Sequence, residues 1–350
     1  MTVGQLTLRR WRVLRRGWGE GPDWRRKMAK AEAEEKDDRT LSNRNHDGID
    51  RRGFLKCMAW AGTGALCVVE GGVLQSFALN SYGAKHARGQ LSFVQISDSH
   101  MGFNKPANTD VVATLKAAVE KINALPVAPE FLLHTGDISH LSKPGEFDTV
   151  DQILKSARPQ EVFFVPGEHD VLEDEGAQYR ERYGKNTNGA GWYSFDKNGV
   201  HFVGLVNVMN LKAGGLGSLG AEQLAWLKAD VQHLSHSTPI VVFAHIPLWT
   251  IYPDWGWGTD DSAQALSYLK KFGSVTILNG HIHQTMQKVE GHVTFHTACS
   301  TAFPQPKPGA AASPGPMKVP AEQLRTMLGL TSVDIVRKQH ALAVTDSTLE

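Results

Sequence analysis

The chain has 350 residues, of which 41% are hydrophobic and 21% are charged, and its formal net charge is +1. This length gives room for one large domain or two small ones, and the composition excludes a chain that is disordered throughout. Because the net charge is close to zero, nothing draws the whole chain towards nucleic acid or an anionic membrane, and no nucleic-acid partner is expected.

The first 84 residues are predicted to precede the folded domain. Residues 1–50 carry mixed charge runs without apolar periodicity, which indicates a disordered N-terminal extension. Residues 51–84 begin with Arg-Arg-Gly-Phe-Leu-Lys and continue as a weakly apolar stretch rich in glycine and alanine. This segment resembles a twin-arginine signal, so we expect recognition by the twin-arginine export machinery and a periplasmic or otherwise exported protein. Glu70 interrupts the stretch, which is too short for a stable membrane span, and an amphipathic N-terminal helix is the alternative.

The segment 91–300 alternates between strand-like and helix-like runs. Apolar residues at three- and four-residue spacing, as in 221–234, indicate helices packed on one face. This alternation predicts a layered α/β domain. Strands are predicted at 91–97, 131–135, 162–166, 240–244 and 275–279, and helices at 110–124, 146–157, 174–183, 221–234 and 262–271.

Two hairpins are predicted within the same segment. Asn-Gly at 198–199 separates the strand-like runs 192–195 and 200–206, which is a strong hairpin signal. A second hairpin is predicted from 285–289 to 293–297. The sheet is therefore not purely parallel, and this pattern favours two packed sheets with helices outside both.

Residues 301–350 differ in composition from the segment before them. Six prolines between 304 and 320 indicate an irregular surface loop. A short helix is predicted at 321–330, followed by a hairpin formed by 333–336 and 341–345. We expect this C-terminal part to complete the domain.

Five of the apolar runs end in residues that commonly bind metal ions. Strands of an open sheet place their carboxyl ends on one edge, so residues far apart in sequence can meet there. Aspartate, glutamate and histidine are ligands of hard or borderline metals, and a metal site is predicted at this edge. The blocks are Asp98-Ser99-His100, Gly136-Asp137, Gly167-Glu168-His169-Asp170, His245 and Gly280-His281-Ile282-His283.

These five blocks, in this order, resemble the calcineurin-like metallophosphoesterase superfamily. Its pattern is Asp-x-His, Gly-Asp, Gly-Asn-His-Asp/Glu, a lone His and Gly-His-x-His, and the likeness spans roughly 91–300. Gly-His-Ile-His-Gln at 280–284 is most similar to the bacterial cyclic-nucleotide phosphodiesterase branch. The resemblance implies a four-layer α/β/β/α sandwich with two mixed sheets. It implies one metal ion held by Asp98, His100, Asp137 and His283, and a second held by Asp137, Glu168, His245 and His281.

The activity that the resemblance implies is hydrolysis of a small-molecule phosphodiester or phosphomonoester. Two divalent or mixed-valence ions of Mn, Fe or Zn would activate a bridging water and polarise the phosphoryl oxygens. His169, oriented by Asp170, would protonate the leaving oxygen or stabilise the developing charge. His169 and Asp170 are thus the expected catalytic pair.

The chain departs from the family pattern at Glu168, where the family has asparagine. With two divalent ions, Asp98, Asp137 and a bridging hydroxide, asparagine would leave a net charge of +1 and glutamate leaves zero. A neutral cluster attracts a phosphate dianion less well, which favours a diester substrate, a trivalent ion such as Fe(III), or a ligand that is not a phosphate. The alternative function is a dinuclear metal protein with little phosphatase activity, acting in redox chemistry or binding.

Other histidines and one aromatic loop lie outside the five blocks, and some of them allow two interpretations. His140 follows Asp137 by three residues, so it is either beside the site or unrelated to it. His134 and His296 lie within strand-like runs and are expected to be structural. The aromatic loop after His245 is either a substrate platform or a loop that packs on its own domain, and it contains Trp249, Tyr252, Trp255 and Trp257.

Overall fold

The computed structural model describes residues 65–70, 73–78, 91–335 and 342–350. The chain divides into two units, Met1–Ala78 and Leu79–Glu350. In the first unit, β1 (Ala65–Glu70) and β2 (Val73–Ala78) pair as an antiparallel hairpin. These strands fall inside the predicted signal segment 51–84. The predicted extension 1–50 lies outside the described residues, as does the rest of the signal segment, so both stay predictions.

The second unit contains eleven described strands and six described α-helices. In chain order they are β3 (Leu91–Ile96), α1 (Val111–Ala124), β4 (Phe131–His134), α2 (Pro144–Leu154), β5 (Val162–Phe164), α3 (Ala177–Tyr183), β6 (Tyr193–Lys197), β7 (Val200–Gly204), α4 (Gly220–Val231), β8 (Ile240–Phe243), α5 (Ser262–Leu269), β9 (Val275–Asn279), β10 (Met286–Glu290), β11 (Val293–Thr297), α6 (Ala321–Met327), β12 (Gly329–Ile335) and β13 (Leu342–Thr348). Of the helices in the described ranges, none has both the length and the apolar character needed to cross a bilayer.

The strands form two mixed sheets. The five-stranded sheet has the order β13-β12-β3-β4-β5, and the six-stranded sheet has the order β10-β11-β9-β8-β7-β6. Strands β3, β4 and β5 are parallel to one another, as are β7, β8, β9 and β11, while the other pairs are antiparallel. The predicted α/β fold with two mixed sheets is confirmed.

The alternation of side chains along each strand builds four layers. Phe93 and Phe131 of one sheet pack against Phe202 and Phe243 of the other in a shared apolar core. The next residue along β3, Val94, points the opposite way into a core shared with helices α1 and α2. The six-stranded sheet similarly packs its outer face against α4 and α5. A strand that is apolar on both faces therefore lies in the middle of an α/β/β/α sandwich.

Element boundaries shift where side chains cap or redirect the chain. Helix α1 begins after Asp110, whose carboxylate accepts a hydrogen bond of 2.9 Å from the amide of Ala113. Helix α3 begins at residue 177 rather than 174, because the Asp174 carboxylate accepts from the amides of residues 176, 177 and 178 instead of joining the helix. The predicted helix at 321–330 ends at Met327 because Gly329 starts β12.

The predicted hairpins are confirmed by their pairing. In the β6–β7 turn, Asn198 and Gly199 have φ values of 50° and 80°, the left-handed pair that a tight two-residue turn needs. Strands β10 and β11 form the second hairpin, and β12 and β13 form the third. Strand β12 also pairs with β3, which adds the C-terminal hairpin to the five-stranded sheet.

One buried histidine ties the β6–β7 hairpin to helix α4. His201 Nδ1 lies 2.9 Å from Asp196 Oδ1, and its Nε2 lies 2.9 Å from Asp230 Oδ2. Burial works to lower the pKa of His201, but Asp230 and Asp196 outweigh it, so the pKa is raised above its usual value. The ring is therefore charged in the folded protein over a wider pH range than in the unfolded chain.

We expect His201→Leu to lower the free energy of unfolding by about 1–3 kcal/mol at pH 6, because hydrogen bonds to charged groups are lost. The stabilisation is complete at pH values below the pKa that His201 has in the unfolded chain. It is lost as the pH rises through the raised pKa that His201 has in the folded protein. Urea unfolding at pH 6 and pH 9 measures this, with the exposed His233→Leu as the control. An equal loss at both pH values would contradict the ion-pair origin.

Candidate metal centre

All seven predicted metal ligands converge on one edge of the sandwich. The loops that carry them follow β3, β4 and β5 of one sheet, and β8 and β9 of the other. Their ligand atoms form overlapping groups that lie within 4.8 Å of one another. The ligands Asp98, His100, Asp137, Glu168, His245, His281 and His283 are brought together in this way.

Backbone hydrogen bonds continue past the strand ends and fix the ligand loops. The amide of Asp98 donates to the carbonyl of Gly136 at 2.9 Å, and the amide of His100 donates to the carbonyl of Asp137 at 2.8 Å. The amide of His281 donates to both carboxylate oxygens of Asp98, at 3.2 and 3.1 Å. The last contact joins loops from different sheets, so the site is anchored on both halves of the sandwich.

The backbone at the ligands adopts a conformation that L-residues rarely take. Positive φ values occur at Asp98 (54°), His100 (39°), Asp137 (50°), His281 (71°) and His283 (54°). Each such residue costs free energy, which the surrounding loop contacts must offset. Five of these conformations occur in one cluster. They indicate a site in which local backbone stability is lost so that the side chains can face one another.

Two glycines allow the loops to approach one another. At Gly136, where φ is 96°, an added Cβ would lie 2.5 Å from Nδ1 of His245. At Gly167, an added Cβ would overlap the Asp137 carboxylate. The glycines that precede Asp137 and Glu168 therefore belong to the site, because any side chain there would displace a ligand.

One half of the cluster is formed by Asp98, His100 and His283. His283 Nε2 lies 3.2 Å from Asp98 Oδ1 and 3.2 Å from His100 Nε2. All three side chains are buried. Two imidazole nitrogens and a carboxylate oxygen that face one another in a buried space match a metal-binding donor set.

The other half is formed by Glu168, His245 and His281. His245 Nε2 lies 2.9 Å from Glu168 Oε2, and His281 Nδ1 lies 2.9 Å from Glu168 Oε1. These contacts do not meet hydrogen-bond geometry. Within the described residues, Glu168 Oε2, His245 Nε2 and both ring nitrogens of His281 are buried without a hydrogen-bond partner.

Asp137 lies between the two halves. Its Oδ2 is 3.4 Å from His100 Nε2 and 3.4 Å from His245 Nε2. Its Oδ1 accepts a hydrogen bond of 2.9 Å from the amide of His169. Asp137 is thus placed to contribute to both halves of the cluster while also holding the loop that carries Glu168 and His169.

Two features besides the types of the residues indicate that the cluster can bind a metal ion. Buried polar atoms without partners are costly, and here they cluster on one point. His245 Nδ1 lies 2.7 Å from the carbonyl of Thr135, and His283 Nδ1 lies 2.5 Å from that of Phe303, so each ring offers Nε2 inward. Anchoring of the outer nitrogen in this way is typical of metal-binding histidines. A shell of carboxylates and imidazoles accepts Mn, Fe and Zn alike.

Buried carboxylates next to histidines determine the electrostatics of the cluster. Burial would raise the pKa of Asp98, but His283 and His245 hold it at about 2. Burial likewise opposes ionisation of Glu168, yet His281 and His245 keep its pKa well below the usual value. The carboxylates therefore stay ionised, which is the form that binds metal.

His169 lies beside the cluster with one ring nitrogen fixed. Its Nδ1 is 2.8 Å from the carbonyl of His140, and its ring packs at 4.7 Å on that of His100. Burial works to lower the pKa of His169, but Asp137 and Glu168 outweigh it and raise the pKa above its usual value. A histidine with a raised pKa at the edge of the cluster can carry a proton near neutral pH.

The expected orientation of His169 by the Asp170 side chain is wrong. The Asp170 carboxylate accepts hydrogen bonds from the amides of Gly167 (2.9 Å), Ile138 (3.1 Å) and Ser139 (2.8 Å), and from the Ser139 hydroxyl (2.8 Å). It points into the protein because residues 168–170 form a turn of 3₁₀ helix. Asp170 therefore braces the loops that carry Asp137 and His169 rather than the ring of His169.

The structure resolves most of the open interpretations outside the five blocks. His140 lies beside the site, whereas His134 and His296 are buried strand residues that contact Ser99 and Asp346. Trp255 and Trp257 pack as a buried cluster with Ile282, between the two histidines of the last block. These two rings support the ligand turn, so for them the packing interpretation is the one that holds.

Phe303 was not predicted as a site residue. Its carbonyl fixes His283, and its ring lies 4.7 Å from the rings of both His100 and His283. The only sequence signal for it is an aromatic residue directly before the proline-rich segment. Its role depends on the path of the chain after β11, which brings residue 303 back to the site.

An α/β/β/α sandwich with a buried histidine–carboxylate cluster at the strand ends defines the class of the molecule as an α/β protein with a candidate metal centre. A family model for calcineurin-like phosphoesterases matches residues 91–285, and the chain belongs to this family. The prediction of the family is therefore confirmed.

Known relatives support the same class. The chain is 23% identical over 225 residues to a 3′,5′-cyclic-nucleotide phosphodiesterase of Nostoc sp., covering 61% of this chain and 79% of the relative. It is 26% identical over 233 residues to the serine/threonine-protein phosphatase CPPED1 of Danio rerio, covering 57% and 72%. A solved dimetal phosphatase from Danio rerio has a similar fold, with a TM-score of 0.53, 14% identity, and coverage of 74% and 99%. The sequence relatives are phosphoesterases, which supports a metal-dependent hydrolase.

Proposed function

We propose that the protein is an exported, dinuclear-metal-dependent phosphoesterase that hydrolyses a small-molecule phosphodiester or phosphomonoester. The observation that carries the proposal is the set of buried, unpartnered ligand atoms on Glu168, His245 and His281, next to the matching group of Asp98, His100 and His283. Family membership gives the reaction class. Asp137 between the two groups supports two ions rather than one.

Metal ions in such a site supply an activated water and charge neutralisation at the phosphoryl group. The residues of the chain position the groups of the site and supply the proton. Asp137 keeps the two halves together and fixes the amide of His169. His169 has its Nδ1 fixed on the carbonyl of His140, which leaves Nε2 to donate a proton to the leaving oxygen. Asp170 keeps both loops in register through its four hydrogen bonds.

Glu168 favours a diester over a monoester. Its two oxygens point at His281 and His245, so the carboxylate belongs to the ligand cluster and not to the loop surface. Compared with the family asparagine, it lowers the charge of the loaded cluster by one unit. A phosphomonoester dianion loses more attraction from this change than a diester monoanion.

The same residue supports a second candidate function. A carboxylate in place of a neutral amide also stabilises a higher-valent ion such as Fe(III) and weakens phosphate binding. In that case the protein binds two metals and has little phosphatase activity, acting in redox chemistry or as a binding partner. Metal content would be the same under both candidates, and only turnover separates them.

Export is proposed from the arginine pair at the start of residues 51–84. Replacing both arginines by lysine should retain the protein in the cytoplasm if the twin-arginine machinery recognises this segment. Cell fractionation of the two forms measures the effect. Export that is unchanged by the replacement would contradict the proposal.

Elemental analysis of protein from its native compartment, combined with a panel of phosphoesters, tests the function. We expect about two ions per chain and turnover of bis-p-nitrophenyl phosphate. Two ions without turnover of any ester would favour the redox or binding function. Absence of bound metal after loading with Mn, Fe and Zn would contradict both.

We expect Glu168→Asn to raise the ratio of monoester to diester turnover by about tenfold, because one negative charge leaves a site of low effective dielectric constant. The measurement compares kcat/KM for p-nitrophenyl phosphate and bis-p-nitrophenyl phosphate. Glu168→Gln is the matched control that removes charge but keeps side-chain length. An unchanged ratio in both variants would refute the charge argument.

A further inference from the structure

His140 contacts two residues of the site at once. Its ring Nδ1 lies 3.4 Å from Nδ1 of His100, and its ring stacks on that of His169 at 4.8 Å and 17°. Its carbonyl accepts the hydrogen bond from Nδ1 of His169. His140 is half-buried, so it forms one wall of the site between the predicted ligand and the predicted proton donor.

The main chain of His140 is itself held in place. Its amide donates to the carbonyl of Met101 at 2.8 Å and to Oε2 of Glu146 at 3.1 Å. The next amide, that of Leu141, donates to the same glutamate oxygen at 2.8 Å. Glu146 lies in the first turn of α2, so the position of His140 is fixed by a helix and by the loop after β3.

The proton arrangement follows from the geometry of His100. Its Nε2 faces Asp137 and His283, and a ring nitrogen that offers a lone pair to a metal cannot carry a proton. The proton of the neutral ring is then on Nδ1, where the ring nitrogen of His140 is the partner at 3.4 Å. His140 accepts this hydrogen bond through Nδ1 and carries its own proton on Nε2.

We propose that His140 is a positioning residue, which fixes the tautomer and direction of His100 through its ring nitrogen. The inference rests on the proposed metal function of the cluster. Hydrogen bonding of the outer nitrogen of a ligand histidine typically changes metal affinity by about 10–100-fold. Its stacking on His169 contributes packing, and its carbonyl, which side-chain substitutions leave in place, holds the proton donor.

Two substitutions separate the hydrogen bond from the packing. His140→Phe keeps an aromatic ring against His169 but removes the acceptor for His100. His140→Asn removes the ring but places an amide oxygen where Nδ1 was, so the acceptor is kept. The two variants are therefore expected to behave in opposite ways according to which contact matters.

The test is titration of each metal-free protein with Zn²⁺ in competition with a chromophoric chelator, without substrate. We expect His140→Phe to bind one of two Zn²⁺ ions about 10–100-fold more weakly, and His140→Asn to stay within about threefold of the unchanged protein. His233→Phe, at an exposed histidine, controls for general loss of an imidazole. His140→Leu replaces the phenylalanine variant if that variant does not give a cooperative thermal transition.

The reverse order, with weak binding in His140→Asn and normal binding in His140→Phe, would overturn the inference and assign His140 to packing. Equal Zn²⁺ affinity in all proteins would overturn it as well. Because the titration contains no phosphoester, a protein that hydrolyses nothing would defeat the proposed activity and leave this result standing.

Discussion

Replacing Asp137 by asparagine is expected to lower phosphodiester turnover by about a thousandfold, or ~4 kcal/mol of transition-state stabilisation. The number of bound ions should fall below two per chain. Asp137 Oδ2 faces His100 on one side and His245 on the other, at 3.4 Å each, so the loss of its charge affects both halves of the cluster. Metal analysis and bis-p-nitrophenyl phosphate turnover measure the two effects.

Asparagine is the informative replacement because it preserves the local backbone. Asp137 has a φ of 50°, a left-handed conformation that asparagine tolerates better than alanine. Its amide oxygen can still accept the hydrogen bond from the amide of His169. Asp110→Asn is the control, since it makes the same change at a helix cap. Two tightly bound ions in Asp137→Asn would contradict the shared role of this carboxylate.

The second large effect is expected at His169. His169→Asn and His169→Gln should both keep two bound ions and lose about 10²–10⁴-fold in turnover of an alkyl phosphodiester, whose leaving oxygen needs a proton. Esters of p-nitrophenol should be much less affected, because that leaving group departs without protonation. The comparison of alkyl and p-nitrophenyl diesters therefore reports on proton donation.

The pair of variants also separates proton donation from charge stabilisation. His169→Asn keeps a donor near the position of Nδ1, which bonds to the carbonyl of His140, and removes Nε2. His169→Gln places a neutral donor near the position of Nε2, which can hydrogen-bond the substrate but cannot give up a proton. Recovery of alkyl diester turnover in His169→Gln would show a hydrogen-bonding role. Full activity in both variants would remove His169 from the mechanism.

The sequence predicted the elements well because strand and helix signals are local. Apolar runs of four to six residues between turn signals correspond to β3, β4, β8 and β9, and Asn198-Gly199 marks its hairpin correctly. The ends were less accurate. Ser97 and Thr135 are predicted as the last residues of their strands, yet they begin the ligand loops, where hydrogen bonds to neighbouring loops replace the sheet.

The predicted ligands also followed from local signals, since each is a metal-binding residue type at a strand end. The backbone groups that position them could not be found in this way, although the spacing of His140 from Asp137 left open a place for it beside the site. Thr135, His140 and Phe303 hold ligand or donor rings through backbone carbonyls, and any residue type has a carbonyl. Asp170 was predicted to orient His169 because it is adjacent, but the 3₁₀ turn directs its carboxylate into the protein.

The sequence by itself determined the fold class, the order of the five blocks and the identity of the residues that could bind metal. These depend on side-chain chemistry and on periodicity, both of which can be read along the chain. The tertiary structure alone decided how the blocks are oriented towards one another, which ring nitrogen faces inward, and that His140 contacts both His100 and His169. Those features arise from contacts between loops of different strands, whose geometry no local pattern encodes.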